Sequence, residues 1–475
     1  MNRATSADPL DEIAQWVARV PSSWPREAYA AAENALVDTI ACMIAGADQP
    51  AIHRLYGLVS QWGAGPATVI GARAKLSAPW GALVNGASAH ALDYDDNFDP
   101  AKAHASAVLI PALLAVGEQE GLTLEALLDA YIVGLQAMGH VGQAVNPFHR
   151  NRGWHATATV GAIGAAAGCA RLLRLDPAKT AHGVSMSTSR AGGFMSQFGT
   201  DTKPLHAGFA ASGAVQSALM ARAGMTAGAA TLDGPHSLRS LMVGPDVEDR
   251  AHEMLGTDEH GQSTSFVAGR IAQPLQILAH GLKVKRFPNC GSTHRALDGL
   301  LELRETHDLT ADNVVSIHVR APASHLRNLP YDDPHTPNEA KFSLEYNLAV
   351  ALEQGTVGLA DFAPEAIARP HIRALFERIT KEPVEQLESA FATEVHARTH
   401  ARKGPGQTFS TSVAMPFGSR EAPLTRDQLF AKLEDCCAAA KLGTRTRGIS
   451  EALRTLDRSA RISDLTALLA MAGAD

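Results

Sequence analysis

Two segments of this chain consist almost entirely of small side chains. Residues 156–175 carry Gly161, Gly164 and Gly168 among alanines, and residues 205–223 have a similar composition. Alanine favours a helix whereas glycine weakens it, so tight packing has to compensate. Helices with so little side chain can approach one another closely. The pattern predicts a domain of densely packed helices around a buried centre.

Helical periodicity extends over residues 8–270. Asp8 is a good cap for a first helix with Pro9 at its first position, and Leu10, Ile13 and Val17 follow at helical spacing. The same periodicity predicts helices over residues 27–45, 78–92, 106–120, 124–142, 156–175 and 205–223.

The pattern changes near residue 271. Val315, Ile317 and Val319 alternate with polar residues, as in a half-buried strand. Residues 393–402 and 407–413 form a second strand pair around a turn at 403–406, with helices over 343–353, 364–368 and 371–379. After residue 425 the helical period returns. The sequence predicts a mainly α chain with three segments: helical residues 1–270, an α+β domain over 271–415, and helical residues 416–475, which can rejoin the first.

Composition narrows the function classes. A chain of 475 residues exceeds the size at which a single core keeps growing. The net charge is −7 with scattered Lys and Arg, which argues against a nucleic-acid or membrane-surface partner. Five cysteines form no CxxC pair, as is typical of a reducing compartment. No apolar secretion segment or membrane span is visible in the sequence, and we expect a cytoplasmic protein.

Residues 85–104 contain the densest group of reactive side chains. Four carboxylates and two histidines, among them Asp93 and His104, fall within about twenty residues of a chain in which 19% of residues are charged. A carboxylate beside an imidazole can orient it and raise its basicity, as in a general base. Two alternatives remain open. Asp95, Asp96 or Asn97 can cap a helix, and Asp93, Asp95 and Asp96 with His90 can bind a metal ion, although the spacing matches neither a zinc site nor an EF-hand.

His155 precedes the first small-residue helix. A histidine at a helix N-terminus experiences the positive end of the dipole, which favours neutral imidazole. Such a side chain can act as a base or donate a hydrogen bond. A purely structural role is the alternative.

Lys203 and His206 lie in a third motif, residues 199–208. Because proline disfavours the helical region for the preceding residue, we expect Lys203 just outside a helix that begins at Pro204. An ammonium beside free backbone N–H groups is suited to a substrate carboxylate. A solvated surface lysine is the alternative, but the following helix is almost uncharged up to Arg222.

Lys283, Lys285 and Arg286 precede a Phe-Pro turn and form a fourth motif. They can provide a second carboxylate clamp, or they can be an ordinary solvated group of cations. Cys290 with His294 suggests a nucleophile as a minor option, although nothing nearby is expected to lower the thiol pKa.

Three of these segments together resemble the MmgE/PrpD family: residues 90–96 (HALDYDD), 202–208 (TKPLHAG) and 285–288 (KRFP). The family includes 2-methylcitrate dehydratases, cis-aconitate decarboxylases and iminodisuccinate epimerases. The resemblance implies a large all-helical domain from both chain ends, an inserted α+β lid, a homodimer, and a site without metal or cofactor. By motif, its site residues carry over to Asp93, His104, His155, Lys203 and Lys285, with Asn97 where the decarboxylases have threonine.

Departures from the family pattern bear on the reaction. The decarboxylase-like members have a tyrosine shortly after the first lid strand, whereas residues 322–330 here contain none before Tyr331. The dehydratase-like members tend to read His-Pro-Ser where this chain has His104-Ala105-Ser106. These differences favour the epimerase branch, acting on an iminodisuccinate-like dicarboxylate.

The resemblance also suggests roles for the residues. We expect His104 to be the base, oriented by Asp93, and Lys203 to hold one carboxylate of a small di- or tricarboxylate. Lys285 and Arg286 hold the other on closure of the lid, Asn97 and His206 contact the substrate, and His155 returns the proton. A hydro-lyase of the 2-methylcitrate dehydratase type is the alternative, then a decarboxylase, and a noncatalytic polycarboxylate-binding protein is the non-enzyme alternative.

Overall fold

The structure is a computed structural model of the chain, and it describes residues 8–244, 265–384, 392–400 and 406–470. The chain divides into two compact units. The larger unit comprises Met1–Lys283 and Arg426–Asp475, and the smaller unit comprises Val284–Thr425.

The larger unit is helical. Its helices are Pro9–Arg19, Arg26–Ala47, Pro50–Val59, Ala78–His90, Ser106–Gln119, Leu124–Val145, Phe148–Asn151, Ala156–Leu172, Pro177–Thr188, Thr202–Arg222, Leu238–Val243 and Gln276–Ala279, followed by Arg426–Ala439, Arg445–Arg454 and Ile462–Leu469 from the C-terminal part. A short strand, β1, spans Ala64–Ala67. Asp8 caps the first helix by accepting a hydrogen bond from the Leu10 N–H at 3.0 Å, as predicted.

Glycines allow the central helices to touch. A Cβ on Gly164 would lie 2.4 Å from the Met138 Cβ, so the helices Ala156–Leu172 and Leu124–Val145 meet there with no room for a side chain. Likewise, a Cβ on Gly208 would lie 2.3 Å from the Leu83 carbonyl oxygen, which fixes the crossing of Thr202–Arg222 over Ala78–His90. The small-residue segments are therefore the places where helix backbones approach most closely.

One expected helix start is wrong. The helix that was expected to begin at Pro204 begins at Thr202, after the N-cap residue Asp201. Lys203 consequently lies within the first helical turn rather than outside it. The restriction that proline places on its predecessor is a preference, and here the first turn of a buried helix overrides it.

Among the described residues, one helix, Arg26–Ala47, is long and apolar enough to cross a membrane. Most of its apolar stretch is buried inside the protein, and its Asp38 forms an ion pair with Lys432. This is the pattern of a core helix.

The smaller unit combines helices with a sheet. Its helices are His294–His307, Ala323–Leu326, Pro337–Ala340, Leu344–Gln354, Pro364–Ile367 and Pro370–Arg373. The strands are β2 (Val314–Pro322), β3 (Ile379–Val384), β4 (Thr393–Thr399) and β5 (Thr408–Val413), in the order β3-β2-β4-β5. β2 pairs parallel with β3 and antiparallel with β4, which pairs antiparallel with β5. Leu297, Ile317 and Val395 belong to its buried core.

The structure confirms the predicted fold class, mainly α with a smaller α+β part. It corrects one element. The predicted helix over residues 371–379 ends at Arg373, and Ile379 begins β3. Leu375 and Ile379 have the spacing of apolar residues in a helix. In the structure, however, Ile379 pairs with Ile317 in a parallel ladder and belongs to a strand. The predicted turn at 403–406 lies mostly outside the described residues.

Candidate active site

A loop between two buried helices carries the acids predicted to be functional. We call residues 91–105 the acidic loop. It follows His90, the last residue of the helix Ala78–His90, and precedes the helix that begins at Ser106. Asp93 has a φ of 53°, a left-handed conformation that aspartate adopts more readily than most residues. The backbone N–H of His104 donates to the Thr157 Oγ1 at 3.1 Å, which ties the end of the loop to the helix Ala156–Leu172.

Asp95 lies between two imidazoles. The His90 Nδ1 is 2.9 Å from the Asp95 Oδ2, and the His104 Nδ1 is 3.1 Å from the same oxygen. The first contact is a hydrogen bond, whereas the second has ion-pair distance without hydrogen-bond alignment. Catalytic hydrogen bonds are often poorly aligned until a substrate binds. The two imidazole rings are 4.4 Å apart between centroids.

The structure places Asp95 closer to His104 than Asp93. Asp93, which the sequence analysis expected to orient His104, has its Oδ1 3.8 Å from the His104 Nε2. Asp95, predicted to be a cap or a loop support, approaches the other ring nitrogen more closely. Sequence spacing could not distinguish Asp93 from Asp95, because it does not reveal the backbone conformation of the loop, such as the left-handed φ of Asp93.

Burial and charge determine the protonation states here. Burial alone would raise the pKa of Asp95, but His104 and His90 hold it well below its usual range, so this carboxyl stays ionised. Burial lowers the pKa of His90 to about 4, against the opposing effect of Asp95. A neutral His90 therefore donates its Nδ1–H to Asp95 at neutral pH.

Lys203 forms a buried ion pair with Asp93. The Lys203 Nζ donates to the Asp93 Oδ1, and the two side chains are 8% and 7% exposed. The ammonium also lies 5.2 Å from the centroid of the Phe198 ring, within cation–π range. Lys203 therefore brings the expected positive charge into the site, with Asp93 already beside it.

His155 and His206 form a second group. Their Nδ1 atoms are 2.9 Å apart, and the His155 ring lies 5.8 Å from that of His90 and 4.9 Å from that of Phe198. A hydrogen bond between two Nδ1 atoms requires a proton on one of them, so each ring fixes the tautomer of the other. His206 lies one turn after Lys203 on the same helix, which brings both side chains to this place.

Burial, more than charge, keeps these rings neutral. Burial lowers the pKa of His155 well below its usual value, and His90 and Lys203 lower it further. Burial and then Lys203 lower the pKa of His206 as well. Neutral imidazoles can both accept and donate protons, as the sequence analysis expected of His155.

Asp96 supports the next helix. Its Oδ1 accepts from the Ser106 N–H at 3.2 Å, its Oδ2 accepts from the Ser106 hydroxyl, and Ser106 Oγ is 2.7 Å from the Tyr131 hydroxyl. Burial and then the charge of Asp38 raise the pKa of Asp96 to about 7. The capping role predicted for Asp96 matches this geometry.

Three further residues were predicted to contact the substrate: Asn97, Lys285 and Arg286. Asn97, which follows Asp96 in the acidic loop, exchanges two backbone hydrogen bonds with Lys283. Their N to O distances are 2.9 and 2.8 Å. Lys285 and Arg286 belong to the smaller unit, where the Arg286 guanidinium pairs with Asp298 at 3.0 Å and contacts the Phe287 and Phe417 rings. Arg286 thus has a structural partner, and substrate contacts by Asn97, His206, Lys285 and Arg286 stay predictions.

Four of the side chains could surround a cation. His90, Asp93, Asp95 and His104 each offer a ligand atom, all within 4.8 Å of one another, which differs from the sequence-derived set by His104 in place of Asp96. The Lys203 ammonium already supplies a positive charge at Asp93. We therefore retain the prediction of a site without metal.

Comparison with known proteins agrees with the three motifs. The N-terminal domain of the MmgE/PrpD family matches residues 11–250, and its C-terminal domain matches residues 287–457. The chain belongs to the MmgE/PrpD family. Relatives within this family include a cis-aconitate decarboxylase-like protein of Aspergillus oryzae, 25% identical over 485 aligned positions and 96% of each chain.

Two mammalian proteins are similar as well. The cis-aconitate decarboxylase of Homo sapiens is 26% identical over 83% of this chain and 80% of its own length. The cis-aconitate decarboxylase of Mus musculus is 25% identical over 75% of this chain and 71% of its own length. The family and these relatives support an enzyme of lyase type, and they do not show the epimerase activity that the sequence departures favoured.

Several contributors to this MmgE/PrpD site were missed from the sequence. Phe198 contacts both Lys203 and His155, yet it was not singled out. Lys432 lies far along the chain, and its Nζ donates to the Tyr94 carbonyl oxygen at 2.7 Å, in the middle of the acidic loop. A lysine in an almost uncharged setting was the signal that identified Lys203, whereas Lys432 lies in an ordinary charged helix.

Proposed function

We propose that this chain is a cofactor-independent lyase that removes a proton α to a carboxylate of a small di- or tricarboxylate and then eliminates water. The observation that carries the proposal is the position of His104, which lies between the ionised Asp95 and the Asp93–Lys203 ion pair. A base and a cation thus lie side by side. Abstraction of a proton next to a carboxylate requires both.

His104 is the proposed base. With the proton on its Nδ1, which lies 3.1 Å from the Asp95 Oδ2, the lone pair of its Nε2 is available to a substrate C–H, and the Asp95 charge stabilises the imidazolium that forms. The side chain of His104 is 12% exposed, more than those of Asp93, Asp95 and Lys203. It is the member of the group best placed to meet a substrate.

Lys203 is the proposed electrophilic group. Loss of the proton leaves an enolate-like dianion, and an ammonium fixed near the base stabilises this charge as it develops. A substrate carboxylate would share Lys203 with Asp93, since an ammonium has three donors.

The elimination balances without a cofactor. The Cα–H bond breaks, its proton goes to the His104 Nε2, and its electron pair forms a carbon–carbon double bond. The Cβ–O bond breaks, and the hydroxyl leaves as water with a proton passed through the pair His155 and His206. The Nδ1 to Nδ1 contact of 2.9 Å suits this role. A proton can pass from one Nδ1 to the other while the Nε2 of one ring gains a proton and the Nε2 of the other loses one. Solvent water supplies that pair with a replacement proton, and His104 releases the proton taken from Cα to solvent after the product leaves.

Epimerisation is the second candidate. The rings of His104 and His155 both lie near that of His90, with centroid separations from it of 4.4 and 5.8 Å. Two imidazole groups at different places could remove a proton from one face of a carbon and return it to the other. An iminodisuccinate-like dicarboxylate would be the substrate in that case.

Decarboxylation is less well supported here. The resemblance places threonine at position 97 and a tyrosine after the first strand in the decarboxylases, whereas this chain has Asn97 and no tyrosine in residues 322–330. The relatives that carry the decarboxylase name are about one quarter identical to this chain, so their substrate is not transferred to it.

NMR of a substrate panel in D₂O tests the proposal. Citrate-like and iminodisuccinate-like acids are incubated with the enzyme and with a His104→Asn control, and products are followed by ¹H and ¹³C spectra. We expect an alkene product formed with loss of water. Deuterium exchange without elimination would support the epimerase instead, and release of carbon dioxide the decarboxylase. No exchange with any acid, together with measurable binding, would leave the polycarboxylate-binding role.

Size-exclusion chromatography with light scattering tests the expected homodimer.

A further inference from the structure

A second lysine–aspartate pair lies beneath the acidic loop. Lys432, on the helix Arg426–Ala439, has its Nζ 2.6 Å from the Asp38 Oδ1 on the helix Arg26–Ala47. Their side chains are 3% and 1% exposed. All of these residues belong to the larger unit. The helix Arg426–Ala439 thus places the Lys432 ammonium in the buried core of the larger unit, against a helix from the N-terminal part of the chain.

Lys432 also binds the loop directly. Its Nζ donates to the Tyr94 carbonyl oxygen at 2.7 Å, and it lies 3.8 Å from the centroid of the Tyr94 ring. Tyr94 is the residue between Asp93 and Asp95. One ammonium therefore holds both the backbone and the ring of the residue that separates the two acids of the site.

Stability alone does not account for such an arrangement. Moving two charges out of water costs several kcal/mol per ion, and a buried ion pair often contributes no more than well-packed apolar residues would. The backbone at Asp93 is in the left-handed region, which costs on the order of 1 kcal/mol and needs support from its surroundings. A strong donor at the next carbonyl supplies that support.

We propose that Lys432 is a positioning residue for this site: by holding the Tyr94 carbonyl, it directs Asp93 towards Lys203 and Asp95 towards His90 and His104. The inference rests on the proposed function. Lys432 acts through the two acids and does not touch the substrate. Asp38 serves to balance its charge.

Two variants separate positioning from charge balance. Asp38→Asn keeps the ammonium at the Tyr94 carbonyl and removes the opposite charge. The double variant D38N/K432M also removes the ammonium and leaves no charge unpaired. We expect D38N to keep most of its kcat, and the double variant to lose about 10- to 100-fold in kcat with a smaller change in KM, as small misplacements of catalytic groups do.

A matched control comes from another ion pair in the same unit. The Arg171 Nε is 2.7 Å from the Asp129 Oδ2, and this pair joins two other helices, with further hydrogen bonds to Trp24, Val17 and Ser22. The double variant D129N/R171M should lower the melting temperature and leave kcat unchanged. This control measures how far loss of stability by itself reduces turnover.

A readout independent of turnover keeps this inference distinct from the proposed function. Histidine side-chain NMR spectra of wild type and D38N/K432M are recorded across pH. Positioning predicts that the His90 and His104 resonances and their titration change in the double variant, with little change in D129N/R171M, even if no substrate is turned over. Wild-type kcat and unchanged histidine titration in D38N/K432M would overturn the inference.

Discussion

Two buried lysine–aspartate pairs in the larger unit have the same chemistry and different surroundings. Lys203 and Asp93 lie among His104, His155 and Phe198, next to the most exposed imidazole of the group. Lys432 and Asp38 are sealed in the core, where the ammonium contacts a backbone carbonyl and an aromatic ring. The first pair lies beside the imidazoles proposed for proton transfer, whereas the ammonium of the second lies against a backbone carbonyl and the ring of Tyr94, a phenol whose pKa burial raises. The neighbours of an ion pair, more than its burial, indicate its role.

The largest effect is expected from breaking the first pair. Lys203→Met removes the cation at the place where negative charge develops, so turnover should fall by about 10³-fold or more while the fold survives. Steady-state kinetics and circular dichroism measure the two properties. Near-normal activity in a folded variant would remove Lys203 from the proposed mechanism.

The base and its orienting acid come next. His104→Asn should lower kcat by roughly 10²- to 10⁴-fold, because a general base contributes about that factor. Asp95→Asn should lower it less, since the base remains, and Asp93→Asn tests the other carboxylate. If Asp93→Asn and not Asp95→Asn changed the pH profile of kcat/KM, the original assignment of Asp93 as the orienting group would be restored.

The sealed pair has a consequence for stability through Asp96. The pKa of this carboxyl is raised to about 7, by burial first and then by Asp38, whereas an unfolded aspartate titrates near 3.9. Between these values the folded state binds more protons, so the free energy of unfolding falls as pH rises from about 4 to 7. The loss is at most roughly 4 kcal/mol.

Asp96→Asn should flatten this dependence. The amide oxygen can still accept from the Ser106 N–H, and no charge develops as pH rises. Urea unfolding at pH 4.5 and pH 7.5 measures the difference between the variant and wild type. Asp176→Asn, at the exposed cap of the helix Pro177–Thr188, is the control for replacing a capping aspartate by asparagine. If the free energy of unfolding of D96N changed with pH as much as that of wild type, the attribution of this pH dependence to Asp96 would be wrong.

The smallest effect is expected from chelation. Because Lys203 supplies the positive charge at Asp93, exhaustive dialysis against a chelator should leave kcat within experimental error of the untreated enzyme. Loss of activity that is restored by one divalent ion would show instead that His90, Asp93, Asp95 and His104 hold a metal.

The helices were predictable because their signals are local. The predicted helix over residues 106–120 is observed as Ser106–Gln119, and that over 156–175 as Ala156–Leu172. Caps, periodicity and small side chains lie within each segment. β3 was missed because its strand state depends on pairing with β2 far away in the sequence, and its own apolar spacing imitates a helix.

For the candidate site, the sequence predicted which residues lie together but not which of them pair with one another. Motifs identified Asp93, His104, His155, Lys203 and His206, and the structure brings these side chains together. Motifs could not assign partners, because the distance of 3.1 Å between the Asp95 Oδ2 and the His104 Nδ1 depends on the path of the loop, which includes a left-handed φ at Asp93. They also gave no sign of Lys432, whose partners Asp38 and Tyr94 lie in distant parts of the chain.

The crossing at Gly208 limits how enzymes of this kind can diverge. The helices that carry His90 and Lys203 meet there with no space for a Cβ, because the Leu83 carbonyl oxygen would lie 2.3 Å from it. A larger residue at this position would push the two helices apart, and with them the histidine and the lysine. We therefore expect adaptation to a new substrate to proceed more readily through the acidic loop, at positions such as Asn97, than through this helix crossing.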